Sequence, residues 1–404
     1  MKDIHFTKQR FASLLSGLVL LAGMTTGCIR ESLDACPPLT THSLVLKVVN
    51  AEGDEITGAS QERFDDVSLY VFDDQKNFID VVKIPSSQIV EQFNSDQQEY
   101  RLLLNYPDQP GDLYLVAWGG LNSDSTLVPQ MTNASQAEDL NIMVKSTDDV
   151  ADAPNQMFFG NLTAKRAENA QAEDQVIAIA PKVGRMRIET YGLEYAGLKS
   201  SDMPDDLFDY TIRETQSGFD HTGALIGDNV HYLPPAEFTS VGDSSDVFVA
   251  PAYNTIPRKD GKMSVVLRGK GIASTLGLRA GTDDFTYTAT EDSYGNPIAV
   301  NEDVQTLVVF RFQKKGDPAP EDPDDPNNPD DPNNPDDPNN PDDPTNPDDP
   351  NTPDNPRPSD PDPIPGTDIV VYVSVKQVDW NYVHEDHVVS GGEEILKSSR
   401  NHKK

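Results

Sequence analysis

The sequence has few cysteines: Cys28 and Cys36, in a chain of 404 residues. Small exported domains stapled by disulfides need several bridges, so that class is excluded. Positive charge is scarce too, with 32 Lys and Arg against 67 Asp and Glu and a net charge of −35. Nucleic acid is therefore not a partner, because its phosphates need Lys and Arg, and peripheral binding to anionic membrane surfaces is disfavoured. Long helical periodicity is nearly missing. Motifs with chemistry behind them are also missing: there is no G-x-S-x-G, no H-E-x-x-H, no P-loop and no Cys-x-x-Cys. Asp and Glu are so abundant that no carboxylate pair stands out for glycosidase chemistry. His384-Glu385-Asp386-His387 gathers metal-ligand types but reads as a solvated tail. The expectation is no catalytic residue, no metal, no cofactor, and binding or structural work rather than an enzyme.

What is present begins at the N-terminus. Lys2, Lys8 and Arg10 precede an uncharged apolar run, Phe11 to Met24. The run is short of the roughly 20 residues that a bilayer span needs. A basic start followed by a short apolar core is the layout of a secretory signal. Thr25, Thr26 and Gly27 lead into Cys28 as in a lipobox, although the usual Leu three residues before the cysteine is here Thr25. Cys28 is therefore the expected lipidation site. Two or more acyl chains, at about 0.8 kcal/mol per buried CH₂, make a stable anchor. The expected location is the outer membrane of a Gram-negative envelope, lipid-anchored and surface-exposed. A lipidated Cys28 leaves Cys36 without an intramolecular partner. The alternative is a Cys28–Cys36 bridge in a protein without lipid.

Residues 317–366 are a second legible stretch, with proline every third residue from Pro323 to Pro356 and sixteen acidic residues against one basic, Arg357. Three residues make one turn of polyproline II, so the prolines stack on one edge while Asp and Asn face water. Such a segment cannot bury a core. The expectation is a disordered, extended spacer of up to about 150 Å at about 3.1 Å per residue. Calcium is the alternative occupant of so many carboxylates, but the stretch lacks the glycines that fold a ligating loop.

The rest reads as β-sandwich. Strands are expected at Ser43–Val49, Val67–Phe72, Phe78–Ile84, Tyr100–Asn105, Asp112–Trp118, Val176–Ala180, Arg185–Tyr191, Asp246–Ala250, Met263–Arg268, Gln305–Phe312 and Ile369–Trp380. Asp73 to Asn77 turns one hairpin and PDQPG is expected to turn another. The aromatics fall mostly at strand positions and so read as core. A boundary between two units is expected near Lys182 to Gly184.

Several pieces taken together resemble the fimbrial (type V pilus) anchor lipoproteins of Bacteroidales. They are CIRESLDACPP after the signal, VSLYVFDDQKNFIDVV (Val67 to Val82), GDLYLVAWGG (Gly111 to Gly120) and APKVGRMRIETYGLEY (Ala180 to Tyr195). The resemblance covers the first half of the mature chain well and the second half in outline. It implies an all-β chain of two tandem transthyretin-like β-sandwich domains, with the polyproline II insert before the last strand as a departure. The expected order is signal peptide 1–27, N-terminal sandwich 28–182, first part of the C-terminal sandwich 183–316, spacer 317–366, and terminal strand with polar tail 367–404. It also implies a role at the base of a fimbria, tying the shaft to the outer membrane and limiting its length, with fimbrial shaft subunits as partners. Shaft subunits of such fimbriae lose an N-terminal strand to an arginine-specific protease. Here Arg30 is the only arginine between Cys28 and the first strand, which favours an anchor over a shaft or tip subunit. The competing reading is a surface module that binds glycan or a host ligand.

The terminal strand is the remaining candidate site. Val371, Val373 and Val375 alternate onto one face, and the shift to Val378 and Trp380 suggests a bulge. An apolar strand must complete some sheet. It either returns to its own unit near Gln305–Phe312, or it is donated to a shaft subunit by strand addition.

Overall fold

A computed structural model describes residues 41–50, 53, 66–93, 99–166, 173–196, 207–241, 244–270, 285–317, 364 and 367–378, apart from 107, 110, 122, 259 and 261. Cys28, Cys36, nearly all of the Pro/Asp insert, Trp380 and His384 to His387 lie outside the described residues.

The first half contains β1 (Thr41–Val48), β2 (Val67–Phe72), β3 (Phe78–Ile84), a short helix α1 (Ser86–Phe93), β4 (Tyr100–Asn105) and β5 (Leu113–Gly119). Four small strands follow, β6 (Thr126–Leu127), β7 (Ile142–Val144), β8 (Ser146–Thr147) and β9 (Val150–Ala151), then β10 (Phe158–Ala164) and β11 (Asp174–Pro181). The second half contains β12 (Gly184–Tyr191), β13 (Phe208–Phe219), β14 (Leu225–Tyr232), β15 (Glu237–Val241), β16 (Ser244–Thr255), β17 (Ser264–Gly269), β18 (Phe285–Ala289), β19 (Gln305–Lys314) and β20 (Ile369–Val378). The all-β, sandwiched architecture expected from the strand pattern is the architecture observed.

In the first half the strands follow the order β3-β2-β5-β10-β11-β1-β4. β11 is shared between two layers: Asp174 to Ile179 pair in parallel with β1, while Ala180 and Pro181 pair with β10. The strand therefore carries the chain from one sheet into the facing one. Leu44, Leu46, Leu69, Val71, Leu115 and Ile177 fill the space between, with Ile89 of α1 closing one side.

The β2–β3 hairpin forms as expected. The Asp73 carboxylate accepts from the N–H groups of Gln75 (2.9 Å) and Asn77 (2.8 Å), and Lys76 takes φ +65°. Side chains of Asp that bond backbone two and four residues on are strong turn formers. β4 and β5, by contrast, are not partners across PDQPG. β4 pairs with β1 at one end of the order, and β5 lies between β2 and β10. The short connection steps between sheets instead of making a hairpin.

The second half stacks β15-β16-β12-β19-β20 on β18-β17-β13-β14. Its core is aromatic: Tyr210 stacks on Phe248 at 5.1 Å, Tyr287 meets Phe310 edge-on at 5.9 Å, and Phe285 meets Phe312 at 6.0 Å. The Tyr210 hydroxyl, raised in pKa by burial, donates to the Phe248 carbonyl at 3.0 Å, so this buried polar group is satisfied.

The two halves share one core. Tyr70, Phe72, Val116 and Trp118 point from the outer face of the β2–β5 layer into the cluster that holds Phe219, Met186 and Phe310. Trp118 sits 4.8 Å from Phe159 and 5.6 Å from Phe219. This is why every residue of β2 is buried although its sequence alternates. β7 and β9, which lie N-terminal to the Lys182–Gly184 junction, pair with β13 and β14 beyond it. The Lys182–Glu302 ion pair, at 2.5 Å and with both side chains mostly covered, adds a polar tie beside that junction.

Candidate functional site: the terminal hairpin and the root of the insert

β19 and β20 form a ten-pair antiparallel ladder, from Lys314↔Ile369 to Gln305↔Val378. The register is continuous, so the bulge expected after Gln377 does not occur within the described strand. The Gln377 amide instead donates across to the Thr306 hydroxyl at 3.1 Å and pins the strand end in register. Val371 and Val373, 1% and 4% exposed, enter the shared core, and Val375 packs at its margin. Val378 ends the ladder half-buried. Val370 and Tyr372 on the opposite face are buried as well.

The insert leaves and returns at one point. The Lys315 N–H donates to the Asp368 carbonyl at 2.6 Å, and the Ile364 N–H donates to the Ile369 carbonyl at 2.8 Å. Ile364 is buried and joins the core. Lys314 and Lys315 stand exposed at this root. β12 starts at the junction with the first half and runs parallel to β19. The root therefore lies at the end of the second half remote from the first.

Among the described residues β20 is the last strand of its sheet in order, so the backbone groups on its outer edge have no strand partner there. A turn covers that edge. Asp292 accepts from the N–H groups of Tyr294 (2.9 Å) and Asn296 (2.8 Å), with Gly295 at φ +85°. The geometry repeats the Asp73–Asn77 turn and recurs at Asp220–Ala224, where Gly223 takes φ +75°. The turn at Asp292 aims Ser293 at the strand: its N–H donates to the Val373 carbonyl and its hydroxyl accepts from the Val373 N–H. The Tyr287 hydroxyl, raised in pKa by burial, reaches the Val371 carbonyl at 3.4 Å. Ser293 and Tyr287 escaped the sequence reading. The available signal was the Asp-x-x-Gly spacing shared by residues 220–223 and 292–295.

Among the described residues no group of three or more His, Cys, Asp or Glu is placed to hold a metal ion. No described helix is long and apolar enough to cross a membrane.

Sandwiched sheets, with β20 paired on β19 at one edge, define an all-β protein. A family model described as fimbrillin-A associated anchor proteins Mfa1 and Mfa2 matches residues 33–294. The match spans well over half of the chain, and the chain belongs to this family of fimbrial anchor proteins. The major fimbrium anchoring subunit FimB of Porphyromonas gingivalis is 28% identical over 258 residues, which is 63% of this chain and 77% of that protein. Among solved structures, the fimbrial anchor protein Mfa2 of P. gingivalis aligns at 10% identity with a TM-score of 0.44, covering 68% of this chain and 91% of that one. A fimbrilin, FimA, of P. gingivalis W83 aligns at 10% identity with a TM-score of 0.38, covering 68% of this chain and 90% of that one.

Proposed function

We propose that this chain anchors a fimbria to the outer membrane and limits its length, without catalysis. The observation that carries the reading is the match to the anchor family over residues 33–294, which begins just after the lipobox-like Thr25-Thr26-Gly27-Cys28. In this reading acyl chains on Cys28 hold the subunit in the membrane at the cell surface, and shaft subunits dock on the folded part. The two halves serve as the transthyretin-like domains 28–182 and 183–316, and residues 317–366 serve as an extended spacer.

In this reading the terminal strand stays in its own sheet. Donating it would break ten ladder pairs and the Ser293 clasp and re-expose Ile369, Val371 and Val373. Full burial of an aliphatic side chain is worth about 1.5–3 kcal/mol, so release is strongly opposed.

The test is a cell lacking this chain. Fimbriae should then be shed into the medium and be longer than those of the parent. Fimbriae that stay on the cell at ordinary length would overturn the reading.

A further inference from the structure

The first strand is held in an arrangement that resists one direction of pull. β1 pairs in parallel with β11 from Ser43↔Asp174 to Val48↔Ile179, and antiparallel with β4 from Thr41↔Asn105 to Leu46↔Tyr100. The Val49 N–H extends the parallel ladder to the Ile179 carbonyl at 3.0 Å. β11 then passes through Lys182 and Val183 into β12, which lies between β16 and β19 in the second half. Because β1 runs alongside β11, the N-terminal end of β1 lies at the end of the first half remote from the second.

Side chains lace the same three strands on the outer face. The Ser43 hydroxyl donates to Asp174 of β11 at 2.5 Å. Arg101 of β4 pairs with that same Asp174. Arg101 also reaches Glu99 at 3.0 Å, and Lys47 of β1 reaches Glu99 at 3.1 Å. The inner face of β1 sends Leu44 and Leu46, 0% and 1% exposed, into the first core.

We propose that β1 is a mechanical clamp. Tension applied between the segment preceding Thr41 and the second half pulls β1 along its own axis. It loads the bonds to β11 and β4 together, in shear, so the strand cannot be peeled one pair at a time. The joint between the halves is continuous backbone through Lys182 and Val183, flanked by Trp118 against Phe219 and by Lys182 against Glu302, so in this proposal the ladder of β1 sets the load limit. The inference rests on the proposed function in one respect, that load enters at the N-terminus.

Single-molecule pulling tests the clamp without lipid or shaft, so its failure is separable from failure of the anchoring reading. The full chain carrying Cys36→Ser and Asp317→Cys is held by Cys28 and position 317. It is compared with a chain held by Glu52→Cys and position 317, with Cys28 and Cys36 replaced by Ser. Forced unfolding reports the barrier along the pull rather than equilibrium stability. The first pair of handles should need a several-fold higher rupture force, because the second peels β1 from its other end. The double change Ser43→Ala, Arg101→Ala should lower the force for the first pair only. It should leave the thermal midpoint nearly unmoved, since exposed pairs contribute little at equilibrium. Equal forces from the two pairs of handles would overturn the clamp. So would a rupture force for the first pair that is indifferent to the double change.

Discussion

Ser293 and Val373 bond each other twice: the Ser293 N–H donates to the Val373 carbonyl at 2.8 Å, and the Val373 N–H donates back to the Ser293 hydroxyl at 2.9 Å. The pair seals the middle of the β20 edge, beside the Tyr287 hydroxyl at the Val371 carbonyl. Ser293→Ala should leave the Val373 N–H without its acceptor, at a cost of about 1–3 kcal/mol for a buried donor. The checks are a lower denaturant midpoint and faster hydrogen exchange at the amide of Val373. Unchanged exchange at that amide would show that the edge is sealed by other means.

The insert and the strand behind it should respond in opposite ways to deletion. Lys315 and Asp368 already touch, so replacing residues 318–363 by a short turn should leave the hairpin intact. Shortening the connection about tenfold should raise stability by about 2 kcal/mol, since each doubling of a flexible loop costs about 0.6 kcal/mol. Ending the chain before Asp317 should instead unfold the second half, because Ile369, Val371 and Val373 belong to its core. Circular dichroism melts of the two variants separate these outcomes.

Acid should loosen the lacing of β1. The Ser43 hydroxyl, and after it Arg101, hold the Asp174 carboxyl below its ordinary value of 3.8. A carboxylate with a depressed pKa stabilises the fold fully above its unfolded value, and that contribution is lost as pH falls through the folded one. Because these groups are exposed, the parent should melt only slightly above Asp174→Asn at about pH 6, and that small gap should shrink as pH falls below the ordinary carboxylate value of 3.8. Comparing the two chains cancels the relief of general repulsion that acid brings to a protein of net charge −35. A gap that widens in acid would contradict the assignment.

Much of the fold was legible in the sequence because its strands announce themselves locally. Val67–Phe72 and Phe78–Ile84 alternate around an Asp-led turn, and Val371, Val373 and Val375 mark the terminal strand. Partner choice was less legible. Tyr100–Asn105 and Leu113–Gly119 are neighbours in sequence but pair elsewhere, because a short loop can join two sheets as well as two adjacent strands. β13 and β14 were missed, since polar and charged residues such as Arg213, Glu214 and Asp228 interrupt their apolar pattern. Burial of both faces of β2 was hidden too. It depends on Phe219 and Met186, far along the chain, joining the same buried cluster as Tyr70 and Phe72. At the candidate site the valines were readable, whereas the Ser293 clasp arises only when a turn eighty residues away in sequence is folded against the strand.

The anchoring role is tested most directly by Cys28→Ala in otherwise intact cells, followed by fractionation of the envelope. The parent chain should sediment with outer membranes and the variant should be released, its fimbriae leaving with it. A variant that still sediments with outer membranes and still holds fimbriae on the cell would contradict the anchoring role.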